Sequence, residues 1–172
     1  MQVVWSKKKP AHHFGVEKME GRELIKFFSA DLFIPKLKAK SKADSLDEFA
    51  QLFARTRVIR KKDIVLELLK QREKLGSTGI GKGVAIPHGR TTAALEVKIA
   101  FGKSEKGLDF NALDKKSVHL IFVVIAPPQD ENNRYLPILG KLVEILNESS
   151  NRKKLLKAES FEEFIQVFKE AE

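Results

Sequence analysis

The sequence predicts an α/β fold, and three observations support this prediction. In several segments apolar residues recur at three- and four-residue spacing, which is the period of an amphipathic helix. Between these segments lie short apolar runs, and one of them, "VHLIFVVIAPP" from Val118, is apolar almost throughout, as in a central strand covered on both faces. Finally, 172 residues with 42% hydrophobic content are enough for one core, which favours a single domain.

The chain opens with a segment that we expect to lie outside this domain. Residues 1–18 carry no periodic apolar pattern, so we predict a flexible N-terminal extension there and a domain over 19–172. His12 and His13 lie in the extension. Two adjacent histidines need further ligands to hold a metal, and the sequence offers none nearby, so no metal site is predicted.

Helices dominate the first part of the predicted domain. A short helix is expected over 22–28, followed by an extended piece over 34–37. A longer helix is predicted to begin near Ser45, where Ser45 and Glu48 have the spacing of a capping box. Its apolar stripe comprises Leu46, Phe49, Ala50 and Phe53.

The next helix, predicted over 61–75, carries an arginine on its apolar face. The three-four spacing places on that face Val65, Leu68, Leu69, Arg72 and Leu75. One interpretation is that Arg72 extends its guanidinium to water at the end of the helix, as long cationic side chains do. The other is that Arg72 faces an anion, because the helix ends where a glycine-rich loop begins. The helical pattern alone favours neither.

Strands and helices alternate after that loop. Strands are predicted over 84–86, 97–101 and 118–126. Helices are predicted over 132–146, 151–156 and 161–171. Ser160 and Glu163 cap the last helix in this prediction. His119 lies near the start of the third strand, where a hydrogen-bonded core or edge histidine is more common than a catalytic one.

Composition excludes several classes of protein. No apolar run approaches the roughly 20 residues that cross a bilayer, and the N-terminus lacks the apolar stretch of a secretory signal, so we expect a cytoplasmic protein. The absence of cysteine excludes disulfides, thiolate nucleophiles and cysteine zinc sites. The net charge of +9 is spread over short runs mixed with acids, which favours solvated faces over a nucleic-acid site and leaves an acidic protein partner open.

The segment "GSTGIGKGVAIPHG", residues 76–89, is similar to a nucleotide-binding loop only at first reading. It has the glycine and lysine spacing of a P-loop, but Gly83 stands where that loop has a hydroxyl, and a short strand follows instead of a helix. The dinucleotide fingerprint fails as well, because its third glycine would fall on Val84. No nucleotide or other cofactor is therefore predicted.

The loop is better explained as an anion site. Five residues are candidate phosphate ligands: Ser77, Thr78, Gly79, Gly81 and Gly83. The glycines permit positive φ and can turn amides toward one point, and the hydroxyls add donors. Pro87 then fixes the chain just before His88, whose imidazole is uncharged and nucleophilic near neutral pH. Such a histidine is suited to carry a phosphoryl group, a reaction that requires mainly positioning and charge stabilisation.

At this point the sequence resembles a known family. The stretch "REKLGSTGIGKGVAIPH", residues 72–88, resembles the phosphorylation-site motif of the fructose and mannitol class of enzyme IIA, a component of the bacterial phosphoenolpyruvate-dependent phosphotransferase system. The likeness extends more loosely over residues 19–170 and includes "GLDFNALDKKSVHLIFVVIAPP". It implies a phosphotransferase in which His88 accepts the phosphoryl group and Arg72 stabilises it. It also implies a three-layer sandwich with helices on both sides of a small mixed β-sheet.

One position departs from the pattern of that family. The family usually carries a second active-site histidine early in the helix after the last strand, whereas this chain reads "NNRYLPIL" and has Tyr135 there. A tyrosine hydroxyl can hydrogen-bond to phosphate or imidazole, but it carries no positive charge. Either transfer is slower, or the neighbouring Arg134 supplies the charge. Alternatively, Tyr135 is a core residue that fills the vacated space.

The resemblance implies a donor and leaves the acceptor open. The phosphocarrier protein HPr, or an HPr-like carrier, would donate from its phosphohistidine. In the sugar-transporting branch the group passes to a cysteine of a IIB domain, and these 172 residues contain no cysteine. In the nitrogen-related branch the phosphorylation state is the signal. The sequence "GSTGIGKGVAIPHGR" favours the regulatory branch. Two alternatives stay open: a subunit of a sugar transporter with a separate IIB protein, and a binding module with weakened transfer.

Overall fold

The computed structural model describes residues 19–130 and 132–171, so the predicted N-terminal extension lies outside the described part of the chain. The helices of the described part are α1 Gly21–Leu24, α2 Lys42–Arg55, α3 Lys62–Lys74, α4 Tyr135–Asn147, α5 Ser149–Lys157 and α6 Phe161–Glu170. Its strands are β1 Phe33–Ile34, β2 Gly79–Gly81, β3 Val84–Ala85, β4 His88–Arg90, β5 Lys98–Leu108 and β6 Val118–Ala126. Two 3₁₀ turns follow α1, at Ile25–Phe27 and Ala30–Leu32. Of these helices, none is long and apolar enough to span a bilayer.

Strand β6 lies at the centre of the sheet, as its apolar sequence predicts. The strand order is β1-β5-β6-β3-β2, and β4 also pairs with β6. Because β5 is antiparallel to β6 whereas β3 and β4 are parallel to it, the sheet is mixed. Strands β3 and β4 follow one another along the same edge of β6, at residues 120–121 and 124–126. Strand β2 pairs with the outer side of β3. No described strand pairs with the outer side of β4, so β4 forms an open edge of the sheet within the described residues.

Two hydrophobic cores cover opposite faces of this sheet. Phe122 and Val124 belong to the core shared with α1, α4, α5 and α6. Val123 and Ile125 belong to the core shared with α2 and α3. This alternation follows the two-residue period of a strand. The predicted three-layer α/β sandwich is therefore confirmed.

The capping box predicted for α2 is wrong by one turn. The helix begins at Lys42, and the hydroxyl of Ser41 caps it by accepting a hydrogen bond from the amide of Asp44 at 3.1 Å. Ser45 lies inside the helix and donates to the carbonyl of Lys42. Glu48 accepts hydrogen bonds from backbone amides of the preceding loop instead. Ser41 and Ser45 are both residue types that can cap a helix, and in the structure Ser41 forms the cap.

Other differences lie at short or polar segments. Strand β5 extends seven residues beyond the predicted end at 101, and neither β2 nor β4 was predicted. Helix α4 begins three residues later than expected, because the carboxylate of Asp130 accepts hydrogen bonds from the amides of Asn132 and Arg134 and holds a turn before the helix. His119 is half-buried and donates from Nδ1 to the carbonyl of Ser104 at 2.9 Å, so it is a hydrogen-bonded histidine of the sheet, as expected.

Candidate functional site

His88 is the first residue of β4 and lies on the open edge of the sheet. Pro87 precedes it and has no amide hydrogen, but its carbonyl accepts a hydrogen bond from Val124 at 2.9 Å and keeps the chain against β6. His88 and Arg90 pair with residues of the α4–α6 core, whereas Gly89 between them pairs with Ile125 of the α2–α3 core. The side chains of His88 and Arg90 therefore point toward the α4 layer, and Gly89 faces α3.

Gly89 allows α3 to approach the strand closely. A Cβ at this position would lie 2.6 Å from Cγ of Leu68, which is far inside contact distance. Arg72 follows Leu68 by four residues and so lies on the same face of α3, one turn further along. The guanidinium reaches around the edge strand, and its Nε lies 3.4 Å from Nε2 of His88. A second nitrogen of the guanidinium donates to the carbonyl of Gly76 at 3.0 Å, which holds the side chain in place.

The imidazole of His88 is held in one tautomer. Its Nδ1 lies 2.7 Å from the carbonyl oxygen of Ile86, so Nδ1 carries the hydrogen and donates it. The lone pair is then on Nε2, on the side of Arg72. Burial lowers the pKa of His88, and the Arg72 charge lowers it further, while the hydrogen bond to Ile86 acts in the opposite direction. The arrangement gives an uncharged nucleophilic nitrogen beside a fixed cation.

Tyr135 opens α4 and lies next to His88, with 6.1 Å between the two ring centroids. Only 6% of Tyr135 is exposed. Burial raises the pKa of Tyr135 to about 12, although the charges of Arg90 and Arg72 oppose the shift. Its hydroxyl is therefore protonated at neutral pH. The structure places Tyr135 beside His88, and its role at the second position of the site stays a prediction.

Arg90 is a member of the site that sequence reasoning missed. Its guanidinium lies over the ring of Tyr135, 4.4 Å from the centroid, and it donates to the carbonyl of Pro128 at 3.4 Å. A strand predicted at 88–90 would have revealed it, because a residue two positions after His88 in a strand shares its face. Arg134, which the sequence offered as one possible source of charge, contributes its backbone amide to the turn at Asp130.

The hydroxyls of Ser77 and Thr78 are used inside the fold. Ser77 donates to the carbonyl of Phe110 at 2.5 Å and accepts from the amide of Gly79. Thr78 is buried and its hydroxyl bonds to the carboxylate of Glu73, which also pairs with Lys42. These bonds tie the loop to α3, α2 and the segment after β5. Neither hydroxyl is directed to His88 in this arrangement.

The loop glycines shape a β-hairpin. Lys82 and Gly83 have φ of 58° and 78° at the turn between β2 and β3, and Gly81 before them has φ of 96°. The carbonyl of Gly83 accepts from the amide of Leu120, four residues before the β6 residue that pairs with His88. Four strand residues span about 13 Å, so the turn lies at the far end of the edge from His88. Of the predicted residues, the structure thus brings Arg72 and Tyr135 to His88. The glycine-rich loop contacts this group through the carbonyl of Gly76, which accepts a hydrogen bond from Arg72.

The chain is similar in sequence to proteins of one family. Residues 26–171 match the family model described as "phosphoenolpyruvate-dependent sugar phosphotransferase system, EIIA 2". The chain is 35% identical over 131 residues to the fructose-specific EIIABC component of Bacillus subtilis, which covers 76% of this chain and 20% of that protein. It is 34% identical over 125 residues to a nitrogen regulatory protein of Bradyrhizobium diazoefficiens, covering 73% of this chain and 80% of that protein.

A solved structure shares both sequence and fold. The nitrogen regulatory protein IIA-Ntr of Neisseria meningitidis superposes with a TM-score of 0.77 at 32% identity, over 83% of this chain and 97% of that one. Because the family match covers most of the chain and includes His88, Arg72 and Tyr135, the likeness extends to the elements that build the site. The chain belongs to the EIIA 2 family of the phosphoenolpyruvate-dependent phosphotransferase system.

Proposed function

We propose that this protein is a phosphoryl carrier in which Nε2 of His88 accepts a phosphoryl group from the phosphohistidine of HPr or an HPr-like carrier. The observation that carries the proposal is the hydrogen bond from Nδ1 to Ile86, which leaves the lone pair on Nε2 beside Arg72. A half-buried imidazole with a lowered pKa stays uncharged, and only the uncharged form can attack phosphorus.

The transfer step follows from this arrangement. The Nε2 lone pair forms a bond to phosphorus while the bond between phosphorus and the donor's ring nitrogen breaks, and the donor nitrogen keeps that electron pair. The ring of His88 gains positive charge, which the carbonyl of Ile86 stabilises through the hydrogen on Nδ1. Arg72 then turns its N–H groups from the nitrogen to the phosphoryl oxygens, where charge-assisted hydrogen bonds are strongest.

The regulatory branch is the better supported role. The nitrogen regulatory protein of Bradyrhizobium diazoefficiens aligns over 80% of its own length, whereas this chain spans one fifth of the fructose-specific EIIABC component and 64% of a second fructose-specific relative. In this role the phosphorylation state of His88 alters the binding of a target protein. The alternative, the IIA subunit of a fructose- or mannitol-type transporter, is favoured by the fructose-specific relative and requires a IIB protein as acceptor. A binding module with weakened transfer is the third alternative, because Tyr135 departs from the histidine of the family pattern.

Phosphorylation in a reconstituted cascade tests the carrier function. The protein is incubated with enzyme I, HPr and labelled phosphoenolpyruvate, and we expect stable label that is lost in acid and retained in alkali. His88→Ala should abolish labelling and leave the thermal unfolding temperature nearly unchanged, since the side chain is only half-buried. Full labelling of that variant at another histidine would overturn the assignment.

A second incubation separates the regulatory and transport roles. The labelled protein is mixed with a fructose-type IIB domain that carries the acceptor cysteine. We expect the label to remain on His88 for a regulator. Rapid passage of the label to the IIB cysteine would instead establish a transport subunit.

A further inference from the structure

The stacked pair of Arg90 and Tyr135 stands beside His88, and we propose that it is a composite cation which replaces a second histidine: Arg90 supplies the positive charge to the phosphoryl group, and Tyr135 holds it in place. This inference rests on the proposed phosphoryl transfer to His88. Its basis is the 4.4 Å separation between the guanidinium and the ring, together with the 6.1 Å separation between that ring and the imidazole.

A phosphoryl group at His88 requires more charge than Arg72 provides. The group carries about −1.5 to −2 charges at neutral pH, and it would lie at a half-buried position where water solvates it incompletely. Arg72 contributes one positive charge. Tyr135 contributes none, because a phenol is uncharged when protonated, and burial, which raises its pKa to about 12, favours that form. A second cation therefore has a defined role here.

Among the arginines around Tyr135, Arg90 is placed to fill that role. It shares a strand face with His88, two residues away, so both side chains extend toward α4. The charge of Arg90 lowers the pKa of Tyr135 more than the charge of Arg72 does. Arg134 adjoins Tyr135 in sequence, but it lies at the turn before α4, where its backbone amide donates to the carboxylate of Asp130.

The tyrosine ring gives Arg90 a fixed orientation. Tyr135 is buried at the start of α4 and packs in the same core as Val124, so the ring is not free to move away. A planar guanidinium stacks on such a face, and lysine does so less well. Arg90 uses one donor on the carbonyl of Pro128, and among the described residues its other N–H groups make no further hydrogen bond, so they can donate to phosphoryl oxygens.

The rate of phosphoryl transfer from HPr measures the charge supplied by Arg90. We expect Arg90→Gln to lower kcat about ten-fold with a smaller change in KM, because the missing contact forms as the phosphoryl group arrives. Arg90→Lys should restore part of the rate. Arg60→Gln removes an exposed arginine before α3 and serves as the matched control for net charge. Arg134→Gln tests the rival assignment and should behave like the Arg60 variant.

A titration of the phosphorylated protein gives a readout that a purely structural residue would not change. The 31P resonance of the phosphoryl group on His88 reports its second pKa, which a nearby cation lowers. We expect that pKa to rise in Arg90→Gln and to stay unchanged in Arg60→Gln and Arg134→Gln.

Two tyrosine variants test the holding role of the ring. Tyr135→Phe keeps the ring and should keep the low phosphoryl pKa. Tyr135→Leu removes the ring and should match Arg90→Gln, and the double variant should be no worse than either single one.

The outcomes separate the two proposals. If the unaltered protein takes no phosphoryl group, the proposed function fails. If it does so and Arg90→Gln matches the Arg60 control in both rate and phosphoryl pKa, the proposed function stands and the composite cation is wrong. A loss in Arg134→Gln instead of Arg90→Gln would assign the charge to Arg134.

Discussion

Arg72 presents a planar fork to His88, and this geometry predicts a strong effect of a conservative change. Its Nε lies 3.4 Å from Nε2 of the imidazole while another nitrogen is held by Gly76. Arg72→Lys retains the charge but loses the fork, so we expect transfer to fall about ten-fold or more, as one lost charge-assisted contact of roughly 1.5–3 kcal/mol implies. Rapid-quench measurement of transfer from phosphorylated HPr checks this. Unchanged kinetics would mean that the geometry of the Arg72 guanidinium contributes nothing to the transfer step.

The protonation of His88 predicts how the protein responds to acid. Burial lowers the pKa of His88 below its ordinary value of about 6.5, so the folded protein takes up this proton at lower pH than the unfolded chain does. Between those two pKa values the unfolded state binds more protons, and the contribution of this group to stability falls as pH falls. We expect phosphoryl acceptance to persist below pH 6.5. An NMR titration that gave His88 a pKa at or above 6.5 would contradict this.

The sequence pointed to the residues of the candidate site that lie within a single motif or that depart from a known pattern. His88 and Arg72 lie sixteen positions apart in a single motif, and Tyr135 was found because it departs from a known pattern. Arg90 was missed because no strand was predicted at 88–90, and without a strand its shared face with His88 cannot be seen. Gly76 was missed because its role is played by a carbonyl, which any residue has.

At the scale of elements, the contact between α3 and β4 sets the distance from Arg72 to His88. Gly89→Ala places a methyl group 2.6 Å from Cγ of Leu68, so the helix and the strand must separate. We expect a loss of about 1–3 kcal/mol in unfolding free energy, as in other overpacked cores, together with slower phosphoryl transfer. Denaturant unfolding and transfer kinetics check both effects. Gly89→Ala combined with Leu68→Ala makes room again and should recover part of the rate.

The bond between Thr78 and Glu73 fastens the glycine hairpin to α3. Thr78→Val keeps the shape of the side chain but leaves the Glu73 carboxylate with one partner fewer, so we expect a loss of about 1–3 kcal/mol in stability. The transfer rate measured well below the unfolding temperature should change little, because the hydroxyl faces Glu73. A large loss of rate in a stably folded Thr78→Val protein would instead support the phosphate-binding role expected from the sequence.

Elements with a strong hydrophobic period were predictable, and those defined by hydrogen bonds were not. The boundaries of α3 and β6 agree with the prediction to within one residue, because apolar spacing determines them. The start of α2 was misplaced, because Ser41 and Ser45 both offer a cap and only the packed structure selects between them. Strands β2 and β4 are three residues each and rich in glycine, so they carry no periodic signal.

At the scale of the whole molecule, the two hydrophobic cores are built from the described residues, beginning with Met19. Met19 is buried, and α1 packs against α6 and α4 at the beginning of the domain. The family match begins at residue 26. We therefore expect a variant that lacks residues 1–18 to keep its unfolding temperature and its transfer rate. Calorimetry and the labelling assay check this, and a lower unfolding temperature would place part of the first eighteen residues in the domain.

The three-layer arrangement came from family resemblance rather than from composition. Apolar periodicity indicates that helices and strands alternate, but it does not state which helix covers which face of the sheet. That assignment depends on contacts such as Leu68 on Gly89, which form between residues far apart in the chain. A known relative supplies this information in advance.

Side chains from the two helical layers lie on either side of His88, namely Arg72 from α3 and Tyr135 from α4. Arg72 belongs to the layer of α2 and α3, and Tyr135 to the layer of α4 to α6, with only the sheet between them. A substitution on one side of the histidine therefore leaves the packing on the other side intact. Such a site is modular: substitutions in the layer of α4, where Tyr135 lies, can change one side of His88 while the position of Arg72 on the other side is kept.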